Sequence, residues 1–114
     1  MIATLKNLVG RLPGPSSAQW PEGEPFTEVM RHGTMSVEIF APRGADRQTP
    51  HEQDELYFIA SGTARFLRGE RDDEVAAGDA VFVRAREVHR FERMSVDFLA
   101  WVVFWGPAGG EGDR

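Results

Sequence analysis

The stretch QTPHEQDELYFIASG, from Gln48 to Gly62, gathers one histidine, three acids, a tyrosine and a closing glycine where a polar loop turns into an apolar strand. His51 and Glu55 are four apart, and residues i and i+4 of a strand face the same side. If Glu55 faces an interior, Tyr57 and Ile59 do too, and Asp54, of opposite parity, points outward. A carboxylate at the edge of an apolar interior is costly unless something pairs with it. A cation does that, and so does an arginine. A hydrogen-bonded His–Glu pair at the mouth of an ordinary strand is the plainer reading of the same residues. The chain has three histidines and no cysteine, so disulfides, thiolate metal sites and a cysteine nucleophile are excluded. His32, in an RHG turn, reads as a surface residue.

The elements that position these residues follow from pattern. A length of 114 residues suggests one domain, and 41% apolar residues can fill its core. Ile2, Leu5, Leu8, Val9 and Leu12 recur at helical spacing until Pro13, Gly14 and Pro15 stop them. Residues 1–25 are therefore expected to form a short N-terminal helix and a loop that pack on the body. From Phe26 the texture changes to short runs of alternating residues. FTEVMR and SVEIFA flank a turn at His32 and Gly33. ELYFIA and TARFLR flank one at Ser61 and Gly62, and Gly78 with Asp79 marks another. About eight short strands with closely spaced turn signals predict an all-β sandwich or barrel over residues 26–107. AGGEGDR, residues 108–114, reads as a flexible tail.

The spacing of Gln48 to Phe91 resembles the cupin superfamily, whose two motifs have the forms G-x5-H-x-H-x3,4-E-x6-G and G-x5-P-x-G-x2-H-x3-N. The first reads here as Thr49, His51, Glu55 and Gly62, and the second as Gly78, Arg84, Arg86, His89 and Arg93, with these intervals kept. The resemblance implies a cupin jelly-roll β-barrel. It also implies that His51, Glu55 and His89 are metal ligands. The first motif histidine has become Thr49, and the motif's Pro, Gly and Asn have become Arg84, Arg86 and Arg93. The fourth ligand position therefore falls to Gln48 or Gln53, with Gln48 preferred because its loop can bend inward. Two imidazoles and one carboxylate suit a divalent transition metal: Fe, Mn, Ni, Cu or Zn.

No Ser–His–acid set, glycine-rich phosphate loop or paired-carboxylate motif appears, so chemistry would run through that metal. The resemblance allows dioxygenase- or isomerase-like activity on a small oxygen-bearing substrate, and equally a binding or sensing module without turnover. Arg84 and Arg86 are substrate-binding candidates because arginines at a barrel rim can hold a carboxylate or phosphate, which suggests an acidic substrate. They read equally as a solvated rim. Tyr57 is a candidate acid or ligand-orienting group, or a core aromatic with its hydroxyl hydrogen-bonded.

The partners expected are a small molecule and a second copy of the chain. The run Phe98 to Trp105 is apolar on both faces, and a barrel strand needs only one. Its second face is to be covered by a homodimer partner, by another sheet or by the N-terminal helix. A formal charge of −5 argues against nucleic acid. That run is eight residues long and a membrane helix needs about 20, so no membrane span is expected. The opening residues carry no signal-peptide pattern, and the expected location is cytoplasmic.

Overall fold

The computed structural model describes residues 1–112. Eight strands form among them: β1 Phe26–His32, β2 Met35–Phe40, β3 Asp54–Ser61, β4 Thr63–Arg68, β5 Arg71–Ala76, β6 Ala80–Val83, β7 His89–Glu92 and β8 Leu99–Trp105. One antiparallel sheet runs β1-β2-β8-β3-β6 and the other runs β5-β4-β7. The chain changes sheet after β3 and returns its last strand between β2 and β3. This crossing of hairpins makes a small jelly roll.

Strand alternation decides which side chains meet inside. Ser36, Glu38 and Phe40 of β2 stand beside Phe104, Val102 and Ala100 of β8. Those stand in turn beside Glu55, Tyr57 and Ile59 of β3. Ala64, Phe66 and Phe91 close the core from the second sheet. Phe91 is the hub, with its ring 5.0 Å from those of Tyr57, Phe66 and Phe98. Burying such a ring contributes about 2–3 kcal/mol.

Gly62 turns β3 into β4 with φ of +79°, and a Cβ there would stand 2.7 Å from Phe98 Cα. A side chain would therefore collide with backbone as well as strain the turn.

The N-terminal helix is shorter than its pattern: α1 is Leu5–Leu8, followed by a 3-10 turn, Val9–Arg11. It lays Leu8 on Ile39, Ala41 and Leu99, covering part of the outer face of the larger sheet. The rest of that face is open. Phe58 and Phe82 are 45% and 46% exposed, and Phe82 lies 6.2 Å from the Trp105 ring.

Residues 108–112 return to the body: Gly109 N–H donates to the Glu52 carbonyl at 2.7 Å, and Glu111 N–H to Asp54 Oδ2 at 2.9 Å. Residues 113 and 114 lie outside the described residues. Asp54 does not reach solvent. It is buried because Ala85 N–H donates to its Oδ1 at 2.9 Å and the returning tail covers it. No helix among the described residues is long and apolar enough to cross a membrane.

Candidate functional site

Glu55 faces inward because its strand neighbours, Phe104 and Val83, lie in the core row. His89 opens β7 on the facing sheet, on the same side as Phe91. The two sheets bring them together: His89 Nε2 stands 2.8 Å from Glu55 Oε1, each side chain 1% exposed. Glu87's carbonyl lies 2.7 Å from His89 Nδ1 and accepts from it. With acceptors at both ring nitrogens, His89 favours the doubly protonated form. Burial alone would lower its pKa, but the hydrogen bond and charge of Glu55, with Glu87's carbonyl and Asp46, raise it. Glu55 Oε2 is buried and has no hydrogen-bond partner among the described residues.

Tyr57 extends this pair. Its oxygen lies 3.1 Å from His89 Nε2, and its hydroxyl donates to Gln48 Oε1 at 3.0 Å. Burial, then the charges of Glu55 and Asp46, push the phenol well above its ordinary range, so Tyr57 stays protonated. Gln48 is held at its other end by Asp46, to which its Nε2 donates at 2.6 Å. Asp46 also accepts from Phe91 N–H at 2.8 Å, anchoring the loop before β3 to β7. Burial raises the Asp46 pKa against these hydrogen bonds. Gln53 points elsewhere and donates to the carbonyls of Thr34 and Gly106. Of the two glutamines, Gln48 is the one at the site.

His51 completes the group from the cavity side. Its ring meets Phe104 edge-on at 4.7 Å and lies 6.2 Å from the His89 ring. Burial lowers its pKa, with Glu55 pulling the other way, so the imidazole is held neutral. His51, Glu55, Tyr57, His89 and Gln48 thus meet in one polar centre inside an apolar barrel. His32 is exposed, as its turn suggested.

A cavity of about 340 Å³ opens above this centre, with His51, Tyr57, Gln48 and Phe104 on its wall. Its charged lining is Glu28, Glu38, Arg31 and Glu52. Arg84 and Arg86 are absent from that wall. Arg86 pairs outside with Glu52 at 3.0 Å, the two side chains being 62% and 64% exposed, and Arg84 is exposed. The anion-holding role read for them therefore loses its geometric basis. Arg86 does something else: it takes φ of +67°, and Arg93 takes +51°. The turns keep the left-handed backbone that Gly and Asn adopt most easily, with arginines in their places. A second cavity, about 350 Å³, lies on the outside beside Leu12, Trp20 and Leu99, away from the polar centre.

The sequence pattern missed Glu38. It lies on the inner side of β2 and lines the cavity, and burial, then the charges of Glu55 and Glu28, raise its pKa to about 7. The available signal was its parity with Ser36 and Phe40 in SVEIFA. That alternation alone does not say which face is inside.

Two imidazoles and a carboxylate are donors of the right chemistry for a divalent transition metal, and the orphaned Glu55 Oε2 is the atom such an ion would satisfy. Glu55 and His89 are paired with each other, however. Among the described residues no three His, Asp or Glu side chains are gathered for a metal ion.

Comparison with known proteins places this geometry in a wider set. Residues 36–105 match the family model described as Cupin domain. An uncharacterized protein of Streptomyces coelicolor is 38% identical over 84 residues, 72% of this chain and 80% of the relative. A Cupin 2 conserved barrel domain protein from Salinispora arenicola superposes with a TM-score of 0.62 at 16% identity, covering 71% of this chain and 74% of that one. A putative mannose-6-phosphate isomerase from Ralstonia eutropha superposes with a TM-score of 0.58 at 19% identity, covering 84% and 94%.

Proposed function

Because the chain belongs to the cupin domain family, we propose that it is a small-ligand-binding cupin whose barrel centre takes a divalent transition metal on His51, Glu55 and His89. The observation that carries this is Glu55 Oε2, a buried carboxylate oxygen with no partner, in a carboxylate paired with His89, whose ring lies 6.2 Å from that of His51. A buried polar atom without a partner costs about 1–3 kcal/mol, more when charged. Coordination would replace the Glu55–His89 hydrogen bond and use the idle oxygen. His51 supplies a neutral ring whose lone pair is free of hydrogen-bond donors among the described residues. Bound there, the ion supplies Lewis acidity, or oxygen activation if it is redox-active, toward a small oxygen-bearing ligand. That is the dioxygenase- or isomerase-like form of the reading. Tyr57, held protonated, lies at the cavity floor with its one hydroxyl proton donated to Gln48 Oε1.

Metal analysis of the purified chain beside His51→Ala and His89→Ala tests this. About one ion per chain, lost in both variants, is expected. A chain that takes up no Mn, Fe, Ni, Cu or Zn, with melting unchanged by any of them, defeats it.

A second reading is a binding or sensing module without turnover. The closed chain Glu55–His89–Tyr57–Gln48–Asp46 favours it, since each link already has a partner. Ligand-dependent stabilisation without product would select it, and product formation would reject it. We also propose a homodimer through the open outer face around Phe58, Phe82 and Trp105. Light scattering is expected to give twice the chain mass, falling to one chain in Phe82→Glu. A wild-type monomer at micromolar concentration would end that proposal.

A further inference from the structure

The cavity wall carries more negative charge than the barrel can satisfy. Glu28 of β1 and Glu38 of β2 are directly opposed cross-strand partners. Like charges in that position repel. Glu28 is relieved by Arg31, whose Nη2 lies 2.5 Å from its Oε1. Glu52 is drawn outward by Arg86. Glu38 has neither a hydrogen bond nor an ion pair among the described residues, and it is half-buried on the cavity wall. One row deeper on the same inner face stands Glu55, with its idle Oε2. Glu55 is not on the cavity wall, but its charge lies behind it and adds to the negative field at Glu38.

The rest of the wall is aromatic. Trp20 meets both Phe26 and Phe40 edge-on at 6.4 Å, and Phe26 and Phe40 stand two residues along their strands from Glu28 and Glu38. Aromatic rings attract a cation through their negative faces and pack an apolar body through their area.

We propose that the cavity selects a small organic ammonium ion, with the cationic head on Glu38 and the apolar body against Trp20, Phe26 and Phe40. This rests on the reading of the cavity as a ligand site and names the class of ligand. An ammonium group brings N–H donors that the Glu38 carboxylate lacks, and it relieves the Glu28–Glu38 repulsion. A carboxylate ligand would worsen both. Burial, then the charges of Glu55 and Glu28, raise the Glu38 pKa, and a cation beside it would oppose all three.

The test uses the full chain at pH 8, where Glu38 is ionised, with and without EDTA. The probes are benzylamine, benzyl alcohol and benzoate, which share a ring and differ in charge, and binding is read by calorimetry and tryptophan fluorescence. Benzylamine is expected to bind at least about tenfold tighter than benzyl alcohol, with benzoate weakest. Glu38→Gln is expected to bring benzylamine down to the level of the alcohol. Glu70→Gln, on the exposed β4–β5 turn, is expected to change nothing. Benzoate binding as tightly as benzylamine overturns the proposal, as does a preference that survives Glu38→Gln. So does saturable binding of none of the three probes. Failure of metal uptake leaves the EDTA arm standing, so the two readings fail separately.

Discussion

Glu38→Gln should make the protein more stable in base and leave it unchanged in acid. The side chain keeps its size and loses only the ability to ionise. In the unfolded chain Glu38 titrates near 4.5, and in the folded chain near 7, because burial and the charges of Glu55 and Glu28 disfavour the anion. Between those values the folded state holds a proton that the unfolded state has released. Stability therefore falls as pH rises through that window, and the full penalty is present above about 7. A shift from 4.5 to about 7, at 1.36 kcal/mol per pH unit, amounts to about 3 kcal/mol, and cavity water screens it to about 1–3 kcal/mol. Urea unfolding of both proteins at pH 5 and pH 8 checks this. At pH 5, half a unit above the unfolded value, only about a quarter of the difference should be present. At pH 8 the variant should be about 1–3 kcal/mol more stable, a rise in melting temperature of several degrees. Arg31, His51, Glu28 and Glu55 also face or feel this cavity, but their own titration is shared by both proteins and largely cancels in the difference. An identical difference at both pH values, or a wild type more stable than Glu38→Gln at pH 8, would refute the reasoning.

Three further outcomes follow from the same geometry. His89→Ala leaves Glu55 buried without its partner, and should cost about 3–5 kcal/mol in chemical denaturation. Tyr57→Phe keeps the ring contacts but removes the donor to Gln48, and should cost about 1–2 kcal/mol by the same assay. Arg93→Gly should raise stability by about 1 kcal/mol, seen as a higher melting temperature, because φ of +51° strains an arginine and not a glycine. An unchanged or lower melting point for that variant would mean that the left-handed turn costs Arg93 little.

What could be read from the sequence, and what could not, divides along a physical line. Alternation within one strand was enough to put Glu55, Tyr57 and Ile59 on one face, and His89 with Phe91 on another. Motif spacing was enough to say that the two faces meet in a jelly-roll barrel. Glu38 escaped because its face is set by pairing with Val102 on β8, more than sixty residues away. Alternation fixes two sets of residues and leaves open which set is inside. Asp54 escaped for a related reason. Its parity puts it outside the barrel as expected, but Ala85 and the tail at Glu111 bring backbone donors over it. Arg84 and Arg86 sit at motif positions, yet position in a motif does not aim a long side chain, and Arg86 swings out to Glu52.

The missed residues change the chemistry of the cavity. With Arg84 and Arg86 on its wall it would have been an anion site. With Glu38 on the wall, Glu28 opposite it and Glu55 below, it has the opposite character. A metal at the centre and an ammonium ion at the mouth would each answer part of the same surplus. The centre offers imidazole lone pairs and an idle carboxylate oxygen, which suit coordination. The mouth offers a carboxylate and aromatic faces, which suit a soft, partly apolar cation. The two occupants therefore need different donors, and a variant at Glu38 should move ammonium affinity while leaving metal content to His51 and His89.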